Sequence, residues 1–217
     1  MVVDKDGKIY VCDVQHKSIV VFDKDGNLYK MIPCKCRTPV DIAHDATYKR
    51  LLITDGHLHC VFQCTLKDEK VTLFVGEYGF QQGQFRHPHG LVVDDQDNVI
   101  VCDHENRRIQ KFGPDAKHIA TIPLSTFPMF MHQNLQTLLL YVNSYRLSTN
   151  FVTIYTLEVI KQDKVIHSCT IPALNDANGM VTVDDKLYIC DTAKNCIQGY
   201  ELSLLQRSNQ KVLADEQ

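Results

Sequence analysis

The sequence predicts an all-β fold of repeated four-stranded blades, a β-propeller, on three observations. A short apolar phrase ending in Asp or Asn occurs five times: Val11-Cys12-Asp13, Ile53-Thr54-Asp55, Val101-Cys102-Asp103, Tyr141-Val142-Asn143 and Ile189-Cys190-Asp191. Its last residues lie 42, 48, 40 and 48 positions apart, a period that belongs to stacked or radial repeats. Around each phrase, apolar runs of strand length alternate with turn clusters, enough for four short antiparallel strands per period. An ordinary β-sandwich would not repeat the terminal Asp with matched flanks.

The third copy shows the plan best. Gly90-Leu91-Val92-Val93-Asp94 is a short apolar run, and Asp95-Gln96-Asp97-Asn98 is a polar turn. Val99 to Cys102 is a second run, stopped by Asp103-His104-Glu105-Asn106. Arg108-Ile109-Gln110-Lys111-Phe112 roughly alternates polar and apolar residues, the period of a half-buried strand. After the turn Gly113-Pro114-Asp115, His118 to Ile122 supplies a fourth strand.

The other copies follow the same order. In the first, Val2-Val3-Asp4, Ile9 to Cys12, Ile19 to Phe22 and Leu28 to Ile32 are separated by two Asp-Gly turns, a hairpin signal because Gly accepts positive φ. The second keeps Pro39 to Ile42, Leu51 to Asp55 and Cys60 to Gln63; the fifth keeps Gly179 to Asp184, Leu187 to Asp191 and Ile197 to Tyr200. The fourth is the most degraded, with Leu138 to Asn143 and Val152 to Leu157 surviving. The repeats run over approximately 1–33, 34–80, 81–123, 124–172 and 173–217, in one expected domain. Residues 203–217 are expected to be a last outer strand, a closing strand or a frayed tail.

The pattern Pro-x-Gly, three apolar residues and Asp, then the phrase with its Asp, then Asn-x-Arg-Ile-Gln-x-Phe, is similar to the NHL repeat. Copy three carries it on Pro88, Gly90, Asp94, Asp103, Asn106, Arg108, Ile109, Gln110 and Phe112; copies one, two and five match in part and copy four weakly. The resemblance implies an NHL-type propeller, usually six-bladed. About five blades are recognisable here, and the chain opens inside one, because Val2-Val3-Asp4 lacks the preceding Pro-x-Gly. The expectation is therefore an incomplete six-bladed disc, a fragment or a divergent member.

Composition narrows the class. The formal net charge of −3 argues against a whole-surface nucleic-acid binder but leaves room for one basic face. There is no apolar run long enough for a membrane span, and no signal peptide is visible. Cys12, Cys102 and Cys190 share one place in three repeats, an inner strand position where Cys is expected as a buried free thiol. Cys34-x-Cys36 is too tight for a usual zinc pair, and Cys60 and Cys64 lie in a strand with no second pair nearby. An odd total of nine cysteines at strand-buried positions favours a reducing, cytoplasmic compartment.

The richest local chemistry is in copy three: Arg86, His87, His89, His104, Arg107 and Arg108, with Lys111. Propeller loops gather on the rims of the disc, where such a set can receive phosphates or acidic peptide. Asp94, Asp95, Asp97, Asp103, Glu105 and Asp115 dilute the patch, and Arg108 has a second reading as a tie from one blade to the next. Pro88-His89-Gly90-Leu91 resembles, more weakly, the Pro-His-Gly-Leu segment of the peptidyl-hydroxyglycine amidating lyase propeller, in which histidines from several blades hold zinc. The equivalent positions here are Val40 and Asn178, and His132 is out of frame, so His89 is a weak metal candidate and no cofactor is expected. His57-x-His59 is a weak pair that strand alternation would put on one face. The repeated Asp residues are expected to accept hydrogen bonds from their own turns rather than form a carboxylate ring.

No nucleophile elbow, phosphate loop or His-Glu-x-x-His segment occurs. The leading expectation is a non-catalytic platform for a protein partner. The resemblance implies the NHL modules of TRIM-NHL proteins, which recruit partners or RNA beside a ubiquitin-ligase RING, although no RING array exists here. The alternatives are RNA binding by the basic face of copy three and a zinc-dependent, secreted lyase. Oligomeric state is not legible.

Overall fold

The computed structural model describes residues 1–134, 136–147, 153–171 and 174–203, and these form five antiparallel sheets, the blades of a β-propeller. The first sheet holds β1 (Val2–Val3), β2 (Ile9–Asp13), β3 (Ser18–Phe22) and β4 (Leu28–Pro33). The second holds β5 (Pro39–Asp45), β6 (Arg50–Asp55), β7 (Cys60–Thr65) and β8 (Val71–Val75). The third holds β9 (Pro88–Val93), β10 (Val99–Asp103), β11 (Arg108–Phe112) and β12 (His118–Pro123). The fourth holds β13 (Phe127–Asn134), β14 (Leu139–Leu147), β15 (Thr153–Lys161) and β16 (Lys164–Thr170). The fifth shows β17 (Ala177–Val183), β18 (Lys186–Asp191) and β19 (Cys196–Glu201) among the described residues. A fourth strand or closing strand for that sheet would fall at 204–217, outside the described residues.

Strands in each sheet lie in chain order, because tight turns join neighbours without crossovers. Two compact units result, Met1–Thr121 with the first three sheets and Ile122–Gln217 with the last two. In the first unit, Ile19 and Val21 pack against Leu51 and Ile53, while Leu52 and Val61 pack on the other side against Val99, Val101, Phe85 and Phe112. The second sheet is thus covered on both faces, which is why all of β6, Arg-Leu-Leu-Ile-Thr-Asp, is buried instead of alternating. In the second unit, Leu157 and Val159 face Leu187 and Ile189.

Polar ties join the sheets of the first unit. The Leu91 N–H donates to Asp41 Oδ2 at 3.1 Å. Buried Arg50 donates to Asp45 Oδ2 and Gln63 Oε1 at 2.8 Å each and to the Pro114 carbonyl at 3.0 Å, which satisfies its fork across two sheets.

In the second, third and fifth sheets the repeated Asp is the joint of the blade. Asp103 Oδ1 accepts from the Arg86 backbone N–H at 2.8 Å, reaching the loop that leads into the sheet. It also accepts from the side chains of Asn106, Arg108 and Gln110, so the residues of the Asn-x-Arg-Ile-Gln segment converge on one buried carboxylate. Asp55 does the same for Arg37, Thr38, His57 and Leu58 N–H groups, and Asp191 for Asn175 and Asp176. These bonds extend the expected role: the carboxylate holds its own turn and also the incoming loop. In the fourth sheet Asn143 stands in this place, buried and with neither amide atom hydrogen-bonded among the described residues. There the loop is held differently, by Thr126 donating to buried Glu158 at 2.6 Å.

Two cysteine expectations need correction. Cys102 is buried, but Cys190 is exposed and Cys12 half-buried. Leu187 and Ile189 turn toward the fourth sheet, so Cys190 points to the face of the fifth sheet that carries no partner sheet within its unit. Cys34 and Cys36 are joined as a disulfide.

Asp103→Ala should lower unfolding free energy by about 3–5 kcal/mol, because it strands the half-buried Arg108 charge and the Arg86 N–H. Asp13→Ala, at a carboxylate with 27% of its side chain exposed, should cost about 1 kcal/mol. Urea unfolding of both variants checks the difference, and equal losses would refute the joint.

Candidate functional site

The turns after β2, β6, β10 and β18 share one backbone device. The fourth residue past each Asp is left-handed: Lys17 (φ 49), His59 (φ 56), Arg107 (φ 51) and Asn195 (φ 51). The cost of positive φ in a non-glycine residue is met by the hydrogen-bonded turn before it. This conformation places His59 and Arg107 on the same rim as the loop between β8 and β9.

That loop is pinned from several sides. The Asn106 side chain donates to the Gly79 carbonyl at 2.8 Å, and Arg108 donates to the carbonyls of Gln81 and Gln84 at 2.7 and 2.9 Å. Gln110 adds a bond to Gln84 O and receives one from Gly83 N–H. At Gly76, φ is +117 and an added Cβ would lie 2.7 Å from the Phe85 ring, so only glycine lets the chain turn there. The loop is therefore rigid, yet it displays Tyr78 and Phe80, which are 63% and 74% exposed.

The copy-three residues divide by what they touch. The Arg108 guanidinium is engaged by Asp103 and the loop carbonyls, with 13% of its side chain exposed. Arg86 lies at the surface, 3.2 Å from Glu105 and 5.7 Å from the centre of the Tyr78 ring. Arg107 is exposed. Lys111 leaves the cluster altogether: its ammonium lies 3.0 Å from Asp94, at the opposite end of the strands.

The histidines form a file. His59 meets Tyr78 edge-on at 4.9 Å and His87 at 6.1 Å; His87 lies 5.6 Å from His89, which stacks on His104 at 4.3 Å. The His87 N–H donates to His59 Nδ1 at 3.1 Å. His57 and His59 lie in the turn after β6 rather than in a strand, so strand alternation does not apply to them. No linear motif announces this file, because it combines turns of two successive repeats.

His89 sits where the pairing of β9 with β10 shifts register, between Pro88 and Leu91. The same shift falls beside Val40 in β5 and beside Met129 in β13, and neither is among the Cys, His, Asp and Glu side chains that hold zinc. Among the described residues, no group of three or more His, Cys, Asp or Glu side chains is arranged to hold a metal ion. The described residues around His89 do not fit a three-ligand zinc centre. Burial, with the neighbouring His104 and His87, pushes the His89 imidazole down to about 3 from its ordinary 6.5.

Comparison with known proteins adds the following. Residues 85–112 match the NHL repeat. A stretch of 42 residues is 43% identical to Protein brain tumor of Drosophila melanogaster, covering 19% of this chain and 4% of that protein. Another alignment of 42 residues is 40% identical to B-box type zinc finger protein ncl-1 of Caenorhabditis elegans, covering 19% and 5%. A chain in the crystal structure of a nidogen/laminin complex superposes with TM-score 0.75 at 17% identity, over 92% of this chain and 73% of that one. A streptogramin B lyase structure superposes with TM-score 0.59 at 14% identity, over 92% and 81%. At these identities the structural likenesses show the propeller fold alone.

The His89 shift fixes a pH dependence. The folded state disfavours the imidazolium, so the contribution is present above the unfolded value of 6.5 and is lost as pH falls toward about 3. At pH 5.5 the loss is at most about 1.4 kcal/mol, or roughly 3–6 °C in Tm. Tm should fall between pH 7.5 and 5.5, and His89→Gln should lessen the fall by about that amount; an unchanged fall would refute the assignment. A second expectation concerns Arg107: Arg107→Gly should be neutral or slightly stabilising, and Arg107→Val destabilising by about 1 kcal/mol or more, read from urea midpoints.

Proposed function

We propose that the chain is a non-catalytic platform that captures a protein partner on the rim formed by the β8–β9 loop and the turn after β10. The carrying observation is the pairing of two exposed aromatics, Tyr78 and Phe80, with surface Arg86 on a loop held rigid from below. Aromatic and arginine side chains dominate the energetics of protein interfaces, and a preordered loop loses little entropy on binding. His87, His89 and His104 extend this surface inward, Arg107 borders it, and Arg108 supports it from inside. The NHL match at residues 85–112 falls on this blade and supports a recruiting role, since the resemblance implies partner binding for such modules.

Affinity capture with the whole chain tests the reading. A partner retained after ribonuclease treatment, and lost from Tyr78→Ala/Phe80→Ala and from Arg86→Ala while Tm is kept, is the expected outcome. The loss should be about 2 kcal/mol, roughly thirtyfold in affinity. Capture abolished by ribonuclease, with steep salt dependence, would replace the protein reading by RNA recognition. Capture unaffected by either variant would move the interface elsewhere.

A further inference from the structure

The opposite rim of the first unit carries a basic cavity. It lies between the first two sheets, encloses about 420 Å³ and is bordered by the turns that follow β1, β5 and β7, together with β4. Its base is the buried Tyr10 ring stacked on His44, with ring centres 6.3 Å apart and planes 12° apart. Around this base stand five lysines, Lys5, Lys8, Lys30, Lys49 and Lys67, against two aspartates, Asp4 and Asp6. In a chain of net charge −3, such an excess of one sign in a cavity is a local reversal.

The charges are unevenly used. The Asp4 carboxylate accepts from the Asp6 and Lys8 N–H groups and from the Tyr10 hydroxyl, so its lone pairs are occupied in closing its own turn while its charge and that of Asp6 offset two of the five lysines. Lys30 pairs with Glu69, and the Lys8 ammonium lies 5.3 Å over the Tyr29 ring. Lys5, Lys49 and Lys67 have no carboxylate partner among the described residues. They come from three different turns, so no local helix or strand pattern accounts for their meeting.

We infer that this cavity binds a compact, multiply phosphorylated molecule. Ammonium groups are point charges that meet phosphate oxygens from any direction, whereas planar guanidinium forks recognise one group at a time. Several lysines converging from separate turns therefore fit a ligand with several phosphates better than a single carboxylate or phosphate. The volume lies in the range of small-ligand sites, and low-dielectric walls focus the field of the lysines. Tyr10 and His44 offer an apolar ring surface and a polar edge to the body of the ligand. The same chemistry exists on a free polyphosphate and on a phosphorylated lipid headgroup. Exposed Leu28 and Tyr29, which flank Lys30, would touch the membrane in the second case.

Titration calorimetry of the whole chain at low salt, with inositol hexakisphosphate and with tripolyphosphate, tests the site. Vesicle flotation, with and without phosphatidylinositol 4,5-bisphosphate, separates the two sources. The variant is Lys5→Gln/Lys49→Asn/Lys67→Gln, with Asn at 49 because φ there is +49. Should that variant melt early, Lys5→Glu alone replaces it; Arg107→Gly, on the far rim and suited to φ +51 there, is the control. Binding of a soluble probe that weakens with salt and drops at least tenfold in the variant supports a free polyphosphate. Binding confined to the phosphoinositide vesicles, with the same drop, supports the lipid headgroup. Absence of binding to every probe, or equal binding by wild type and a folded variant, overturns the inference.

Discussion

A carboxylate at the end of the second strand, present in four of the five sheets, is the interaction on which this fold depends. Without it, the loop that enters a blade would leave its backbone N–H groups unpaired, and the turn after the second strand would have nothing to close on. Asp103 solves both problems at once, and Asn106, Arg108 and Gln110 complete its shell. Burial pushes its carboxyl up, while the Arg86 N–H, Asn106 and Arg108 pull the other way. The same group that stabilises the blade therefore decides where Tyr78, Phe80 and Arg86 stand, because their loop is bonded to it and to its neighbours.

This explains which parts were legible. The repeated Asp, with Asn, Arg and Gln at set offsets, announces the blade because those residues form one hydrogen-bonded cluster, and a cluster of that kind leaves a linear spacing. The fourth copy is faint for the same reason: Asn143 has given up the cluster, and Thr126 with Glu158 does the work by other residue types. Strand alternation misled at Cys190, because burial depends on whether a second sheet covers that face. At His57 and His59, which the sequence places in a loop, the structure has a turn, so alternation assigns them no common face. For Arg108 the sequence left a structural tie and a partner contact open together. Only the distances to Gln81 and Gln84 reveal how fully its guanidinium is engaged inside the blade.

The lysine cavity was illegible for a different reason. A site assembled from one residue of each of several turns has no spacing to detect, and its lysines look like solvated turn residues one by one. The histidine file is of the same kind, since His59 belongs to one repeat and His87, His89 and His104 to the next. Repeats make the scaffold predictable; the surfaces between them, where neighbouring turns meet, hold the residues that differ.

The two rims of the first unit are chemically opposed because each strand ends in turns of different construction. On one rim, buried Asp residues close the turns, and their carboxylates are consumed by N–H groups, Asn, Arg and Gln. Aromatic, imidazole and arginine side chains face outward there, with Glu105 beside Arg86. On the other rim, Asp4 and Asp94 likewise hold their turns by accepting backbone N–H groups, and Asp94 also pairs with Lys111. Asp94 is thus paired with Lys111, whereas Lys5, Lys49 and Lys67 between the first two sheets have no carboxylate partner among the described residues. A chain whose formal charge is negative can in this way present a positive cavity, because net charge sums the whole chain while the local field follows the five lysines and two aspartates that line this one site.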